Sequence, residues 1–307
     1  MHKRLLNEAV LELIIEPRGP ILIKAGEKGA DPTLPDMEFV RTNGAPYLPG
    51  SSLKGVIRSH CERLARTVHG PLACDPLDQR ASCGARLSDL SNRSVNTTEF
   101  HKRSCFICRI FGNTGLASRF HISDAHADGD IRTEERNGVA IDRVYGSVAH
   151  GPFNYETVTE ARFRTRIQLR NFGVAQVGLV ALALRDIQQQ RVRIGFAKSR
   201  GLGTVGLTVE SLIVRYPACE LTPGGLALPG GRLTSTTNEL LGVGAFDGGD
   251  GYDFAPDDRV PLPEGADYRP DAWGEPQLSV SDPGQITALF RSCVTSWRAE
   301  AERRMQR

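Results

Sequence analysis

Residues 162–189 read R-F-R-T-R-I-Q-L-R-N-F-G-V-A-Q-V-G-L-V-A-L-A-L-R-D-I-Q-Q. The stretch changes character halfway. Phe163, Thr165, Ile167 and Leu169 alternate with Arg162, Arg164, Arg166, Gln168 and Arg170, and a period of two predicts a strand with its cations on one face. Residues 174–189 are apolar and rich in good helix formers, which predicts a core helix directly after that strand. Outward from this pair, A-V-L-E-L-I-I (9–15) is rich in strand formers and is stopped by Pro17 and Pro20. Leu53, Val56, Ile57, Cys61 and Leu64 recur at spacings of three and four, the signature of a helix with one buried face that Ser51 or Ser52 can cap. Further strands are expected at 119–124 and on both sides of 195–203. The order strand, helix, strands, helix, strand suits an α+β fold with a ferredoxin-like (RRM-like) sheet and long insertions.

Composition sets the outer limits. With 307 residues, 40% of them hydrophobic, the chain can bury a substantial core. No window is apolar enough to span a bilayer, and Met1-His2-Lys3-Arg4 does not open a signal peptide. The expected location is the cytoplasm, and no membrane partner is expected. The net charge of +2 hides an asymmetry: 30 Lys or Arg against 22 Asp or Glu before residue 219, and 8 against 14 from there on. The basic part is therefore the candidate for a polyanionic partner. We read 1–218 as one domain, with an irregular insertion at about 67–118 and a hairpin at about 141–162. Residues 219–307 read as a loose, acidic, Gly/Pro-rich extension closed by a helix from about residue 285.

Seven cysteines in a reducing compartment point to metal ligation before disulfides. Cys105 and Cys108 form a C-x-x-C pair, and Cys74 and Cys83 precede them in the same insertion. Four thiolates suit a structural zinc site, and His69 or His101 could replace one sulfur. A second signal is G-F-A-K-S-R-G-L-G (195–203), whose glycines allow a tight turn and whose Lys198, Ser199 and Arg200 could meet an anion. It fails the G-x-x-x-x-G-K-[ST] pattern of a nucleotide loop, so on its own it reads as a cradle for a backbone or as a plain turn between strands. Residues 141–155 suit a protruding hairpin ending in Phe153 and Tyr155, which could meet stacked bases or be tucked into the core. Neither a Ser-His-Asp order nor H-E-x-x-H is present, which disfavours those hydrolases. Asp31 and Asp36, in the aperiodic loop 24–36, are the remaining candidate carboxylates near the basic helix start.

Four motifs then occur in one order: P-Y-L-P-G-S-S-L-K-G-V-I-R-S (46–59), C-F-I-C-R-I-F-G (105–112), N-G-V-A-I-D-R (137–143) and the Gly-rich run at 195–203. From about residue 8 to 215 the chain resembles the repeat-associated RAMP proteins, in particular the backbone subunit of type III CRISPR effector complexes, type III-D-like, which serve antiviral defence. The resemblance implies that Ser51, Ser52, Lys54, Arg58, Arg143, Lys198, Ser199, Arg200 and Gly201 contact a guide RNA, along which copies of the chain or related RAMP subunits stack head to tail. It implies that the hairpin after residue 141 is a thumb wedging into the guide–target duplex, while base pairing reads the sequence of the target RNA. It further implies that Asp36, with Asp31 as the fallback, cuts the target RNA beside a Mg²⁺ or Mn²⁺ ion. A binding-only backbone subunit, whose nuclease is a partner, is the alternative.

Overall fold

The computed structural model describes residues 4–26, 35–88, 97–228, 232–235, 238–247 and 251–306. In chain order the main elements are β1 (Glu8–Pro17), β2 (Arg41–Thr42), β3 (Ala45–Leu48), α1 (Gly50–Val68), α2 (Thr97–Arg103), α3 (Phe106–Phe111), β4 (Phe120–Ile122) and β5 (Ala125–Ala127). They continue as β6 (Arg132–Ile141), β7 (Val148–Glu160), β8 (Phe163–Arg170), α4 (Val174–Gln188), β9 (Val205–Arg215), β10 (Tyr268–Pro270), β11 (Pro276–Val280) and α5 (Pro283–Met305). The result is a mixed α+β architecture. An antiparallel sheet runs in the order β10-β11-β9-β1-β8-β5-β3-β2, with β4 also on β8.

The central strand explains the layering. Ala9, Leu11, Leu13 and Ile15 of β1 are buried, and alternate residues of a strand share one face. On that face Leu13 and Ile15 meet Leu53 and Ile57 of α1, Ile187 of α4 and Leu207 of β9. Strand β8 keeps the expected alternation: Phe163, Thr165, Ile167 and Leu169 are buried and the arginines point outward. Those arginines are paired across the strands. Arg166 meets Glu12 at 2.6 Å, Arg170 meets Glu8 at 3.0 Å, and Arg164 meets Asp128 at 3.3 Å and also Glu210. Burial alone would raise the pKa of Glu8, but hydrogen bonds and charge from Arg215 and Arg170 outweigh it and hold the carboxyl below its ordinary value. The outer sheet face is therefore a neutralised ladder.

Four expectations need correction. Helix α1 starts at Gly50 with Pro49 as its N-cap, so Ser51 and Ser52 lie inside the first turn and do not cap it. The cap comes from across the sheet: the Gly50 N–H donates to Asp124 Oδ1 at 2.7 Å. Only glycine fits at position 50, since a Cβ would lie 2.5 Å from the carbonyl oxygen of Ile122. No strand precedes the Gly-rich run; residue 194 pairs back onto 203 through Ile194 N–H to Gly203 O at 2.9 Å, and β9 follows. The hairpin is longer than 141–162, because its first strand begins at Arg132.

The fourth correction concerns the two segments read as peripheral. In the 67–118 stretch Leu72, Cys83, Phe100, Phe106 and Ile107 are buried in the same core as β1. Likewise the acidic extension adds β11 to the free edge of β9, and Asp258 caps α4 through Val174 N–H at 2.7 Å. Helix α5 begins where a helix was expected, with Asp282 accepting the Gln285 N–H at 2.8 Å. It buries Ile286, Leu289, Cys293, Trp297 and Ala301, at the three- and four-residue spacing of one helix face. Its approach to α4 is so close that a Cβ at Gly178 would fall 2.1 Å from the Cys293 carbonyl oxygen.

Candidate nucleic-acid interface and metal centre

Helix α1 turns three different faces to its surroundings, as 100° per residue requires. Leu53, Ile57, Cys61 and Ala65 are buried against the sheet. Ser52, Gly55, Ser59 and Arg63 share a second face that lines a groove of about 620 Å³. The opposite wall is Arg191, Arg193, Lys198 and Ser199. Strand order thus brings the P-G-S-S-L-K-G helix start and the Gly-rich run together, as two walls of one basic groove. Arg63, Arg191 and Arg193 are exposed and were not singled out from the sequence. The signal was there: the R-V-R-I run alternates out and in immediately before Gly195, with Val192 and Ile194 buried.

The wall opposite α1 is held by backbone. Gly195 and Gly203 both have positive φ, at 77° and 91°, and a Cβ on either would meet a carbonyl oxygen, Leu22 O at 2.3 Å or Ile194 O at 2.2 Å. The turn between them carries Lys198 and Ser199 into the groove. Arg200 instead lies over the Phe196 ring at 5.3 Å, beside Gly201 at φ 89°. Arg193 donates to the Lys198 carbonyl. Gly55 has open space where its Cβ would be, so the fold does not require glycine there.

Lys54 and Arg58 form the third face of α1. Lys54 Nζ donates to Ser118 Oγ at 2.8 Å, and burial, with the Arg58 charge second, lowers its pKa. Arg58 donates to Glu62 at 2.9 Å, to the Gly112 carbonyl at 3.2 Å and toward Cys108 Sγ at 3.9 Å. Its guanidinium is thereby turned to the cysteine cluster and away from the groove.

That cluster contains the four expected residues. The sulfurs of Cys74, Cys83, Cys105 and Cys108 lie within 4.8 Å of one another, and Cys74 and Cys108 are 3.6 Å apart. A tetrahedral zinc with Zn–S of about 2.3 Å places its sulfurs about 3.8 Å apart. A disulfide needs about 2.05 Å, and all four thiols are free. Two backbone amides already point at sulfur, Cys105 N–H to Cys83 at 3.2 Å and Cys108 N–H to Cys105 at 3.4 Å. Arg86 approaches Cys83 at 4.0 Å as Arg58 approaches Cys108. Four thiolates around a divalent ion leave two negative charges, and these two guanidiniums offset them. The residues fit a metal ion, and His69 and His101 are not in the set. His101 is buried, with Nδ1 on the Tyr252 carbonyl at 3.1 Å and its ring stacked on Phe254.

The hairpin β6–β7 is closed by Asp142, whose carboxylate accepts the amides of Val144 at 2.7 Å and Tyr145 at 2.8 Å. Those bonds, Tyr145 first, lower the Asp142 pKa. Val144 and Tyr145 are 81% and 86% exposed at the tip, beside Arg143. Phe153 and Tyr155 are not at the tip. Phe153 lies opposite Gly138 and Tyr155 packs against the core.

Asp36 sits beside the middle of this hairpin, its Oδ2 accepting the N–H of Asn154, which pairs with Asn137, at 3.1 Å. Met37 bridges to Tyr155 on the same strand. Asp31 lies outside the described residues. Among the described residues the cysteine cluster is the only group of three or more His, Cys, Asp or Glu gathered closely enough to hold a metal.

The profile of the RAMP superfamily matches residues 14–206. The chain belongs to the RAMP superfamily. The match includes both walls of the groove, the cysteine cluster and the hairpin. Membership suggests a CRISPR-associated RNA-binding protein that acts in a multisubunit complex with CRISPR RNA. No curated protein matches the chain. Among the described residues no helix is long and apolar enough to cross a membrane.

Proposed function

We propose that this RAMP protein is the guide-RNA-binding backbone subunit of a type III CRISPR effector complex, type III-D-like, acting in the cytoplasm. Copies of the chain or related subunits stack along the guide. The observation that carries the reading is the groove between α1 and the Gly-rich turn, where Arg63, Arg191, Arg193 and Lys198 converge with Ser52 and Ser199. Cations, hydroxyls and an open glycine suit a sugar-phosphate backbone, which positions a nucleic acid without reading its bases. The strand order β9-β1-β8-β4, with α1 and α4 on one face, supports a ferredoxin-like domain ending near residue 218. Zinc is the metal best suited to the four thiolates, and the exposed Val144 and Tyr145 suit a thumb that wedges into a duplex. Titrating single-stranded RNAs of unrelated sequence tests the reading: affinities should agree within a few-fold, and a strong dependence on base sequence overturns it.

Target cleavage by Asp36 with Mg²⁺ or Mn²⁺ is the fuller form of this proposal. The binding-only alternative has its own support, because the Asp36 carboxylate already serves as a backbone acceptor. Guide, target and Mg²⁺ mixed with wild type, Asp36→Ala and Asp31→Ala decide the matter. Loss of cutting in Asp36→Ala with binding intact supports the nuclease. No cutting by the wild type in the assembled complex leaves the chain a binding subunit.

A further inference from the structure

A second basic pocket lies on the Lys54 side of α1. It is about 280 Å³, lined by Arg4, Ser118, Arg119, His121, Arg170 and Asn171 together with Leu5, and no Asp or Glu is among its lining residues. That volume falls below the roughly 300–1,000 Å³ of pockets built for drug-sized molecules. Three arginines and a histidine line it instead, a cationic set suited to a single oxyanion, while the Ser118 hydroxyl and the Asn171 amide already donate to the carbonyls of Phe120 and Arg4, each at 2.7 Å.

The walls are fixed before any ligand arrives. Asn171 adopts a left-handed backbone with φ 49°, and its side chain donates to the Arg4 carbonyl at 2.7 Å while accepting the Leu6 N–H at 2.8 Å. The chain's first described residues are thereby clamped beside the end of β8. Arg119 forms the floor at 3% exposure, giving one N–H to the Asn171 carbonyl at 3.1 Å and lying over Phe254 at 5.5 Å. Arg170 lines the pocket with its Nε held by Glu8 at 3.0 Å. Ser118 links the pocket to the first turns of α1 through Lys54.

We infer that this pocket takes a phosphate group from the bound RNA, as a second anchor on the side of α1 away from the groove. The inference rests on the RNA-binding reading above. Desolvation, then the charges of Arg170 and Lys54, lowers the His121 pKa against a hydrogen bond with the Ser118 backbone; an entering phosphate supplies the negative charge that reverses this. His121 thus reports on occupancy.

The test uses the full chain, with Arg4→Ala/His121→Ala as the pocket variant, both side chains being exposed. Arg191→Ala/Arg193→Ala is the groove variant. RNA affinity is measured by anisotropy across a salt series, and the His121 ring signals are followed by NMR with RNA or with inorganic phosphate. Loss of one phosphate contact lowers the slope of log affinity against log salt by about 0.7, or about 2.6-fold in affinity across a fourfold salt change. The pocket variant is expected to show that fall at an unchanged melting temperature, and RNA to shift the His121 signals. A pocket variant with the wild-type slope, while the groove variant loses slope, overturns the pocket and leaves the RNA reading standing. Unchanged slopes in both variants sink the RNA reading and the pocket together. If inorganic phosphate shifts His121 and RNA does not, the source is a free anion and the RNA assignment is wrong.

Discussion

Removing Arg191 and Arg193 should reduce RNA affinity in a salt-dependent way that removing other arginines does not. Both side chains line the groove and are exposed. Arg191 has a single long ion pair, 3.5 Å to Asp186, and Arg193 is aimed by the Lys198 carbonyl, so neither is a structural support of the core. If each makes one phosphate contact, Arg191→Ala/Arg193→Ala should lower the log–log salt slope by about 1.4 on single-stranded RNA. Between 50 and 200 mM salt, the ratio of wild-type to variant affinity should shrink by about sevenfold. The control is Arg164→Ala. That arginine lies on the sheet face and is engaged by Glu210 and Asp128, so its loss should leave the slope unchanged. Fluorescence anisotropy at four or more salt concentrations measures both. Equal slopes for wild type and the groove variant, or an equal fall in Arg164→Ala, would refute the argument that the groove, and not the general basic charge, holds RNA.

Further outcomes follow from the same geometry. Gly55→Ala should stabilise the protein by about 0.5–1 kcal/mol, since a Cβ there meets nothing, whereas Gly55→Phe should keep the fold and weaken RNA binding; thermal melts and anisotropy separate the two. Arg58→Ala should cost about 1.5–3 kcal/mol through its bonds to Glu62 and Gly112 with little change in salt slope, as calorimetry and anisotropy would show. Chelation should release about one zinc per chain and unfold the region around Cys83 and Cys105, which hydrogen exchange can follow; a metal-free protein with native protection there excludes a structural ion. Glu8 has a depressed pKa, so its stabilisation over Glu8→Gln should be full above the ordinary value of 4.5 and vanish as pH falls through the lower folded value. Acid melts of the two proteins would expose a reversed trend.

Where local pattern and tertiary demand agreed, the sequence was readable. The alternation in β8, the apolar face of α1 and the apolar run of α4 each recorded their burial directly. Side-chain partners were not readable, because they depend on strands distant in the chain. Nothing local says that Asp124, rather than Ser51 or Ser52, holds the amide of Gly50. Nor does anything local say that Arg164 and Arg166 of β8 face Glu210 and Glu12, which removes those two as a polyanion surface. The extension looked loose because its Gly/Pro-rich turns hide short strands, and its role emerges only when β11 completes the edge of β9.

The position of Arg58 couples the cysteine cluster to helix α1, whose other side lines the groove. Lys54 and Arg58, four residues apart, look alike in sequence, yet Arg58 joins Glu62, which also receives Arg66 at 3.3 Å. Arg66 in turn donates to the carbonyls of Ala73 at 3.2 Å and Cys74 at 2.7 Å. A chain of charge-assisted bonds therefore runs from Cys108 through Arg58, Glu62 and Arg66 to the backbone of Cys74, along one side of α1. A metal that fixes the four sulfurs also fixes the rotation of α1 about its axis, and the groove face is carried on that same helix at Ser52, Gly55, Ser59 and Arg63. Rotating α1 by one residue's 100° would bring buried side chains into the groove. A metal held by these cysteines would thus position the groove side of α1, and the cysteines lie with the core and not in a detached insertion.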